Sequence, residues 1–317
     1  MTHPSLAKAK LAAMAGRNQE AAGLIREAAA AEDPDALFML AEMTWRGGLV
    51  EQDCQGGRAY YERAARRGHA AAGIYSTNLL ASGIAGTRDW PEALRRLEVE
   101  AAQDAARRKI FELVRTMDID ANGDPRHAPE GERISDRPDA RLFHSFLTKA
   151  ECDYLISVAQ PGYQPSMVFN EAEQWVRDTI RTSDGSPIHW LIEDPAVHAL
   201  NRRIATASET AYENGETLQS LRYRPGQEYR PHFDFVAGDN RRLWTGLVYL
   251  NDDYDGGETA FVQTDVKVRG RSGEMLLFAN MAPDGGADPL AEHAGLPVTR
   301  GAKFLATRWI REKRWIP

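Results

Sequence analysis

From Gly215 onward the chain is a succession of short β-prone runs, "TLQSLRYR", "YRPHFDFV", "LWTGLVYLN", "TAFV", "VKVRG", "GEMLLFAN" and "FLATRWIRE", separated by Gly, Pro, Asp and Asn turn residues. Runs this short and closely spaced cannot build a helical bundle. Their backbone donors and acceptors need neighbours on both sides, so the segment has to close into an antiparallel sandwich or barrel. Two stretches upstream read as helices. "DARLFHSFLTKAECDYLISVAQ" is a short strand followed by a helix with Thr148 at its N-cap, and "DPAVHALNRRIATASETAY" places Val197, Leu200, Ile204 and Ala207 on one apolar face. Strand count and flanking helices suit a jelly roll.

The first third has the opposite texture. Residues 1–118 are alanine-rich, helical in periodicity and almost free of β-branched runs. Gly47 recurs as Gly83, Ala36 as Ala72, Ala59 as Ala93, and the pair Ala64 and Ala65 as Ala101 and Ala102, each about 35 residues on. Small residues where helices cross and Gly where they end mark stacked helical hairpins. Over residues 19–105 this pattern resembles the Sel1-like branch of the tetratricopeptide repeats. Met117–Ala140 is rich in Gly, Pro and Asp without apolar periodicity, which reads as a linker. Its "DIDANGD" approaches a calcium-loop pattern but lacks the closing Glu. The organisation expected is an α+β multidomain chain: a helical repeat domain over 1–118, a linker over 119–140 and a double-stranded β-helix (jelly-roll) domain over 141–317.

Bulk properties narrow the function. With 43% hydrophobic and 27% charged residues the chain has the make-up of a soluble globular protein, and its net charge of −7 is spread over both halves, which argues against nucleic acid or an anionic membrane as partner. Cys54 and Cys152 are far apart in sequence and have no CxxC or His-rich neighbour, so neither a disulfide framework nor a structural zinc site is expected. Lys8, Lys10 and Arg17 interrupt the N-terminal segment before an apolar run could form. A cytoplasmic location is the expectation.

The chemistry begins at "YRPHFDFV". In a strand, residues two apart project to the same face, so His232 and Asp234 can reach one point. An imidazole and a carboxylate make an incomplete metal site, and His293, just ahead of a later strand, offers a third ligand. Two histidines and one carboxylate on one face leave positions open for substrate and oxygen on a non-haem Fe(II). Lys303 lies within a mostly apolar strand, where a buried ammonium needs an anion, and a dicarboxylate bound to the metal by one end would supply it with the other.

At this point the sequence is similar to the 2-oxoglutarate and Fe(II)-dependent dioxygenases, specifically the prolyl 4-hydroxylase family, over residues 140–312. "RTSDG", "GETLQSLRYRPGQEYRPHFDF", "TGLVYLNDDYDGGETAF" and "HAGLPVTRGAKFLATRWI" match in order and spacing. The resemblance implies that His232, Asp234 and His293 bind iron, that Lys303 holds the distal carboxylate of 2-oxoglutarate, and that Tyr223, Tyr249, Thr245, Thr307 and Trp309 belong to the cosubstrate pocket. It further implies peptide contacts at Arg181, Ser183, Glu216, Tyr229 and Arg242, with Arg311 standing where a histidine is usual. Fe(II), 2-oxoglutarate and O2 are the implied cofactors, ascorbate an optional one, and a peptide or protein presented by the helical repeats the implied partner. Halogenating relatives leave the carboxylate position empty, so an intact Asp234 points to hydroxylation of a C–H bond with release of succinate and CO2. A prolyl residue is the first expectation for the substrate. Another residue, a free amino acid, or a non-catalytic scaffold that only binds are the alternatives.

Overall fold

The computed structural model describes residues 3–169, 175–177 and 180–317. The first third is helical: α1 (Pro4–Met14), α2 (Asn18–Ala30), α3 (Pro34–Arg46), α4 (Cys54–Arg66), α5 (Ala70–Ser82), α6 (Trp90–Ala101) and α7 (Ala105–Thr116). From α1 to α6 each helix packs on the next. The carboxylates of Asp33, Asp53 and Asp89 cap α3, α4 and α6 by accepting from the backbone N–H groups of Ala36, Gly56 and Glu92 at 3.0, 2.9 and 3.0 Å. Such a cap is worth about 1 kcal/mol. Gly47 and Gly83 end α3 and α5 with positive φ of 77° and 75°, a conformation that favours glycine. The repeated alanines Ala36, Ala64, Ala72 and Ala93 are fully buried. At Gly57 an added Cβ would stand 3.0 Å from the Trp45 backbone nitrogen, so α3 and α4 cross too closely for a side chain. The glycine stops and these alanines act as expected, whereas Ala59 and Ala102, read as part of the same pattern, are exposed and Ala65 is half-buried, so they are not at helix crossings. Residues up to Arg115, with Trp190–His198, make one compact unit, while Thr116–His189 and Ala199–Ile316 make a second.

The second unit is built on strands β1 (Glu132–Asp136), β2 (Asp139–Phe143), β3 (Gln164–Pro165), β4 (Met167–Phe169), β5 (Trp175–Arg177), β6 (Asp184–Pro187), β7 (Gln219–Tyr223) and β8 (Tyr229–His232). It continues with β9 (Arg242–Tyr249), β10 (Asp255–Gly256), β11 (Thr259–Phe261), β12 (Lys267–Val268), β13 (Met275–Ala279), β14 (His293–Gly295), β15 (Val298–Arg300) and β16 (Lys303–Arg311). Helices α8 (Lys149–Ala159) and α9 (Pro195–Ala207) are the two read from sequence. Thr148 and Glu151 form a reciprocal capping box at α8, and Glu151 is also held by Arg203 at 2.9 Å. Removing either member of this buried pair would cost about 3–5 kcal/mol.

Eight strands form the major sheet in the order β1-β2-β13-β9-β16-β7-β6-β3, opposed across the core by the four-stranded sheet β12-β11-β14-β8 and the pair β10-β15, while β4 and β5 pair with each other. This is the jelly roll expected. Its core draws Leu221, Leu247, Leu276, Phe278 and Leu305 from the large sheet and Phe261, Val268 and Val298 from the smaller ones. One difference from the sequence reading is β1, which lies inside the segment expected to be a linker. "ERISD" is an edge strand paired only with β2 and largely exposed, so it carries no apolar alternation to reveal it. Among the described residues no helix is long and apolar enough to cross a membrane.

Candidate active site and metal centre

β8 and β14 are antiparallel neighbours with His232 opposite His293, which brings together two residues distant in sequence. β8 ends at His232, four residues short of the end of the run "YRPHFDFV", yet the alternation persists: Phe233 is turned to solvent while Asp234 is buried. The Nε2 atoms of His232 and His293 lie 3.8 and 3.7 Å from the two carboxylate oxygens of Asp234, too long for hydrogen bonds. One ligand atom from each of the three residues falls within 4.8 Å of the others, the only such group among the described residues.

Second contacts fix the ring orientations. Nδ1 of His232 meets the Arg230 carbonyl at 2.8 Å and Nδ1 of His293 the Ala291 carbonyl at 3.0 Å. A carbonyl can only accept, so each Nδ1 carries a proton and the opposite nitrogen, Nε2, of each ring faces Asp234. Burial, and then the neighbouring imidazole of His293, push His232 down to about 4 against the pull of Asp234, which leaves it neutral at physiological pH. Burial acts to raise the Asp234 carboxyl, but the neighbouring His293 and His232 outweigh it and hold the group below its ordinary value. A neutral His232 and an ionised Asp234 are the forms a divalent cation requires of these ligands.

The triad opens into a cavity of about 420 Å³, its open mouth included, lined also by Arg181, Leu221, Tyr223, Tyr229, Leu247, Thr259, Lys303, Leu305, Thr307 and Trp309. Lys303 is 2% exposed and donates to the Gly257 carbonyl at 2.7 Å. Its ammonium lies 5.7 Å from the Tyr223 ring centre and 5.3 Å from that of Tyr249. Among the described residues no carboxylate lies within ion-pair distance of it. Burial therefore lowers it to about 8, with Glu258 opposing weakly. Gly257 has φ of 70°, and an added Cβ would meet Val298 at 3.0 Å and the Lys303 stem at 3.3 Å. The "GGE" turn thus admits the lysine as well as closing the sheet. The Thr307 hydroxyl is buried in the cavity wall without a hydrogen-bond partner. An unpaired ammonium, an orphaned hydroxyl and a three-ligand cluster in one cavity fit a metal-chelating dicarboxylate with its metal.

The remaining expected residues divide. Tyr223, Thr307, Trp309, Arg181 and Tyr229 line the cavity, and the Tyr229 ring stacks on His232 at 3.4 Å. Tyr249 is fully buried behind Lys303 and donates its hydroxyl to Thr259 at 2.9 Å, so Thr259 rather than Tyr249 reaches the cavity. Thr259 was missed by sequence reasoning, although its place just after "GGE" could have drawn attention to it. Thr245 is also fully buried and donates to Asp234 at 2.9 Å rather than facing the cavity. Ser183 is buried against Ser166 at 3.2 Å, away from the cavity wall. Glu216 is gripped by Arg242 at 2.7 and 2.9 Å and by Arg311 at 2.6 Å, and Arg242 lies over Trp309 at 4.1 Å.

The 2OG-Fe(II) oxygenase superfamily matches residues 218–311. Prolyl 4-hydroxylase 1 of Arabidopsis thaliana is 36% identical over 203 residues, which span 57% of this chain and 72% of that protein. This chain belongs to the prolyl 4-hydroxylase family. As a member it is a 2-oxoglutarate/Fe(II)-dependent dioxygenase, and the family's requirements are Fe(II), 2-oxoglutarate and O2. Among solved structures, the viral collagen prolyl hydroxylase of Paramecium bursaria Chlorella virus-1 in its 2-oxoglutarate complex is 28% identical, covering 54% of this chain and 95% of its own with a TM-score of 0.42. A Sel1 repeat protein from Oxalobacter formigenes is 27% identical over 30% of this chain and 39% of its own, with a TM-score of 0.27.

Proposed function

We propose that this prolyl 4-hydroxylase family member hydroxylates a prolyl residue of a peptide or protein, holding Fe(II) on His232, Asp234 and His293 and the distal carboxylate of 2-oxoglutarate on Lys303. The observation that carries the reading is Lys303, a buried cation without a counter-charge in the same cavity as the ligand triad. Iron with 2-oxoglutarate and O2, when bound, supplies the oxidising chemistry and yields succinate and CO2. Ascorbate enters the reading as a reductant that keeps the metal ferrous.

The protein's own share is placement and exclusion. Lys303 and the Thr307 hydroxyl set how far the cosubstrate enters, Lys303 from one buried position and Thr307 from another in the cavity wall. Leu221, Leu247 and Leu305 line the cavity with apolar surface that shuts water away from the reacting centre. Tyr229, pressed on a metal ligand, offers aromatic surface suited to a pyrrolidine ring, and the Arg181 guanidinium stands 5.5 Å from the Tyr229 ring centre. The Glu216 clamp keeps Arg242 over Trp309 at the cavity's edge.

The helical unit supplies the recruiting surface in this reading, through an open groove that includes Leu40, Thr44, Tyr60 and Arg63. Anaerobic addition of Fe(II) and then 2-oxoglutarate tests the centre. A metal-to-ligand charge-transfer band should appear only after both additions, and it should need far more 2-oxoglutarate in Lys303→Ala. No band would sink the assignment. With the band in hand, turnover on proline-containing peptides against the same peptides carrying other residues tests the substrate. Equal hydroxylation of both would favour the alternative of a different target residue.

A further inference from the structure

Asp234 is the one anionic ligand of the triad, and the chain that holds it runs inward, away from the cavity. The Thr245 hydroxyl of β9 lies 2.9 Å from Oδ2 of Asp234, and the Asn280 amide nitrogen, one residue past β13, lies 2.9 Å from that hydroxyl. Thr245 and Asn280 are 0% and 1% exposed. The direction of these bonds follows from inventory. A carboxylate can only accept, so the single hydroxyl proton goes to Asp234, and the Thr245 oxygen must then accept from the Asn280 NH2 group. The Asn280 backbone is itself pinned, its N–H donating to the Leu243 carbonyl at 2.9 Å and its carbonyl accepting from Asp288 at 3.1 Å. Asn280 thereby stands at the root of the loop that leads to His293.

We propose that Asn280 and Thr245 form a positioning relay that orients the Asp234 carboxylate for the metal, and that Thr245 acts through Asp234 rather than on the cosubstrate. The proposal rests on the reading of His232, Asp234 and His293 as a metal site. Without the relay the carboxylate is free to rotate about its own bond, and an oxygen that should face the cation loses the donor that defines its lone-pair direction. Because Asn280 touches Asp234 only through the Thr245 hydroxyl, its influence must vanish when that hydroxyl is removed. A purely structural pair of buried hydrogen bonds makes no such demand.

Co(II) titration of the whole chain, followed by its visible absorption, is the test, with melting temperature recorded for each variant. Thr245→Val should weaken Co(II) about 10- to 100-fold, the range for losing an outer partner of a metal ligand, while Thr245→Ser stays within about 3-fold. Asn280→Leu should weaken Co(II) about 3- to 10-fold alone and add nothing in the Thr245→Val background. Wild-type affinity in Thr245→Val, with or without a lowered melting temperature, would overturn the relay. So would an Asn280→Leu effect of equal size in both backgrounds. Should Thr245→Val not fold, Thr245→Ala, which also lacks the hydroxyl, takes its place: Asn280→Leu adding nothing in that background supports the relay, and an effect as large as in the wild type refutes it. Unchanged Co(II) binding in Asp234→Asn would instead remove the metal reading, and the relay with it.

Discussion

The helical unit and the jelly roll both bury charge, but they treat it differently. In the helical unit Arg58 is spent on the Ile84 and Thr87 carbonyls at 3.0 and 2.8 Å, and Arg107 on Glu100 and Asn78 at 2.6 and 3.2 Å. Those guanidinium groups tie turns and helices together. In the jelly roll Lys303 has a single carbonyl, Thr307 has no partner, and the three ligand residues stand too far apart to bond one another. A fold ordinarily answers its buried polar groups, so a cluster left open inside one marks the place where something else completes the set. The jelly roll closes its Glu151–Arg203 and Glu216–Arg311 pairs in the same way, and only the cluster in its cavity is kept open for a ligand.

The sharpest way to break this contrast is to remove the anionic ligand. Asp234→Ala should reduce hydroxylation by more than about 100-fold, beyond what losing an outer partner costs, without a matching fall in melting temperature. Turnover measured by succinate release checks it. Activity within a few-fold of wild type would mean that the open cluster is not the reacting centre.

Lys303 puts a price on openness. Burial takes its pKa from 10.5 to about 8, which at neutral pH corresponds to roughly 3 kcal/mol against the folded state. Lys303→Met should therefore raise the melting temperature while weakening 2-oxoglutarate about 10- to 100-fold, the range for a lost hydrogen bond to a charged group. A variant that loses stability together with affinity would show that the lysine is part of the scaffold. An arginine of the helical unit should behave in the opposite way: Arg107→Met should lower the melting temperature and leave 2-oxoglutarate affinity alone.

The same lysine predicts a pH signature. Its folded pKa lies below the unfolded value, so between about pH 8 and 10.5 the unfolded chain binds more protons and stability rises with pH. Cosubstrate binding needs the ammonium and should weaken as pH climbs through about 8, by up to tenfold per unit well above it. At pH 9 binding should be accompanied by proton uptake, visible as a dependence of the calorimetric heat on the buffer's ionisation enthalpy. Equal heats in two buffers of different enthalpy would refute a cationic Lys303 in the complex.

How much of this was legible in the sequence follows from the range of the interactions involved. The glycine helix stops, part of the alanine spacing, the Thr148 N-cap and most strand runs are local, and they were readable from neighbouring residues. The triad was readable because strand alternation is rigid enough to aim His232 and Asp234, and because His293 precedes another strand. Partners reached across the barrel were not. Thr245 sits at a position whose family pattern implies the cosubstrate pocket, but its hydroxyl is claimed by Asp234, and nothing in "LWTGLVYLN" says so. Asn280 ends an apolar run where asparagine reads as a turn, and Thr259 gains its place only because Tyr249 turns its hydroxyl toward it. β1 escaped because an exposed edge strand has no buried face to impose a pattern.

The smallest expected effect sharpens what the helical unit contributes. Its segment Trp190–His198 comes from the far side of the chain, so excising residues 1–118 would leave that segment without the unit it belongs to and confuse recruitment with folding. A single groove substitution avoids this. Tyr60 lines the groove and is only half-buried, with the Arg63 guanidinium 5.4 Å from its ring centre, so removing its ring leaves the helix core largely intact. Aromatic anchors at interfaces cost more than about 1 kcal/mol when truncated, roughly a fivefold change. Tyr60→Ala should therefore raise KM about fivefold for a protein substrate, leave kcat unchanged, and leave both constants unchanged for a short peptide that reaches only the jelly roll. A parallel rise for the short peptide would mean that the substitution acts through the catalytic unit, and no rise for either would confine the helical unit to a role outside substrate capture.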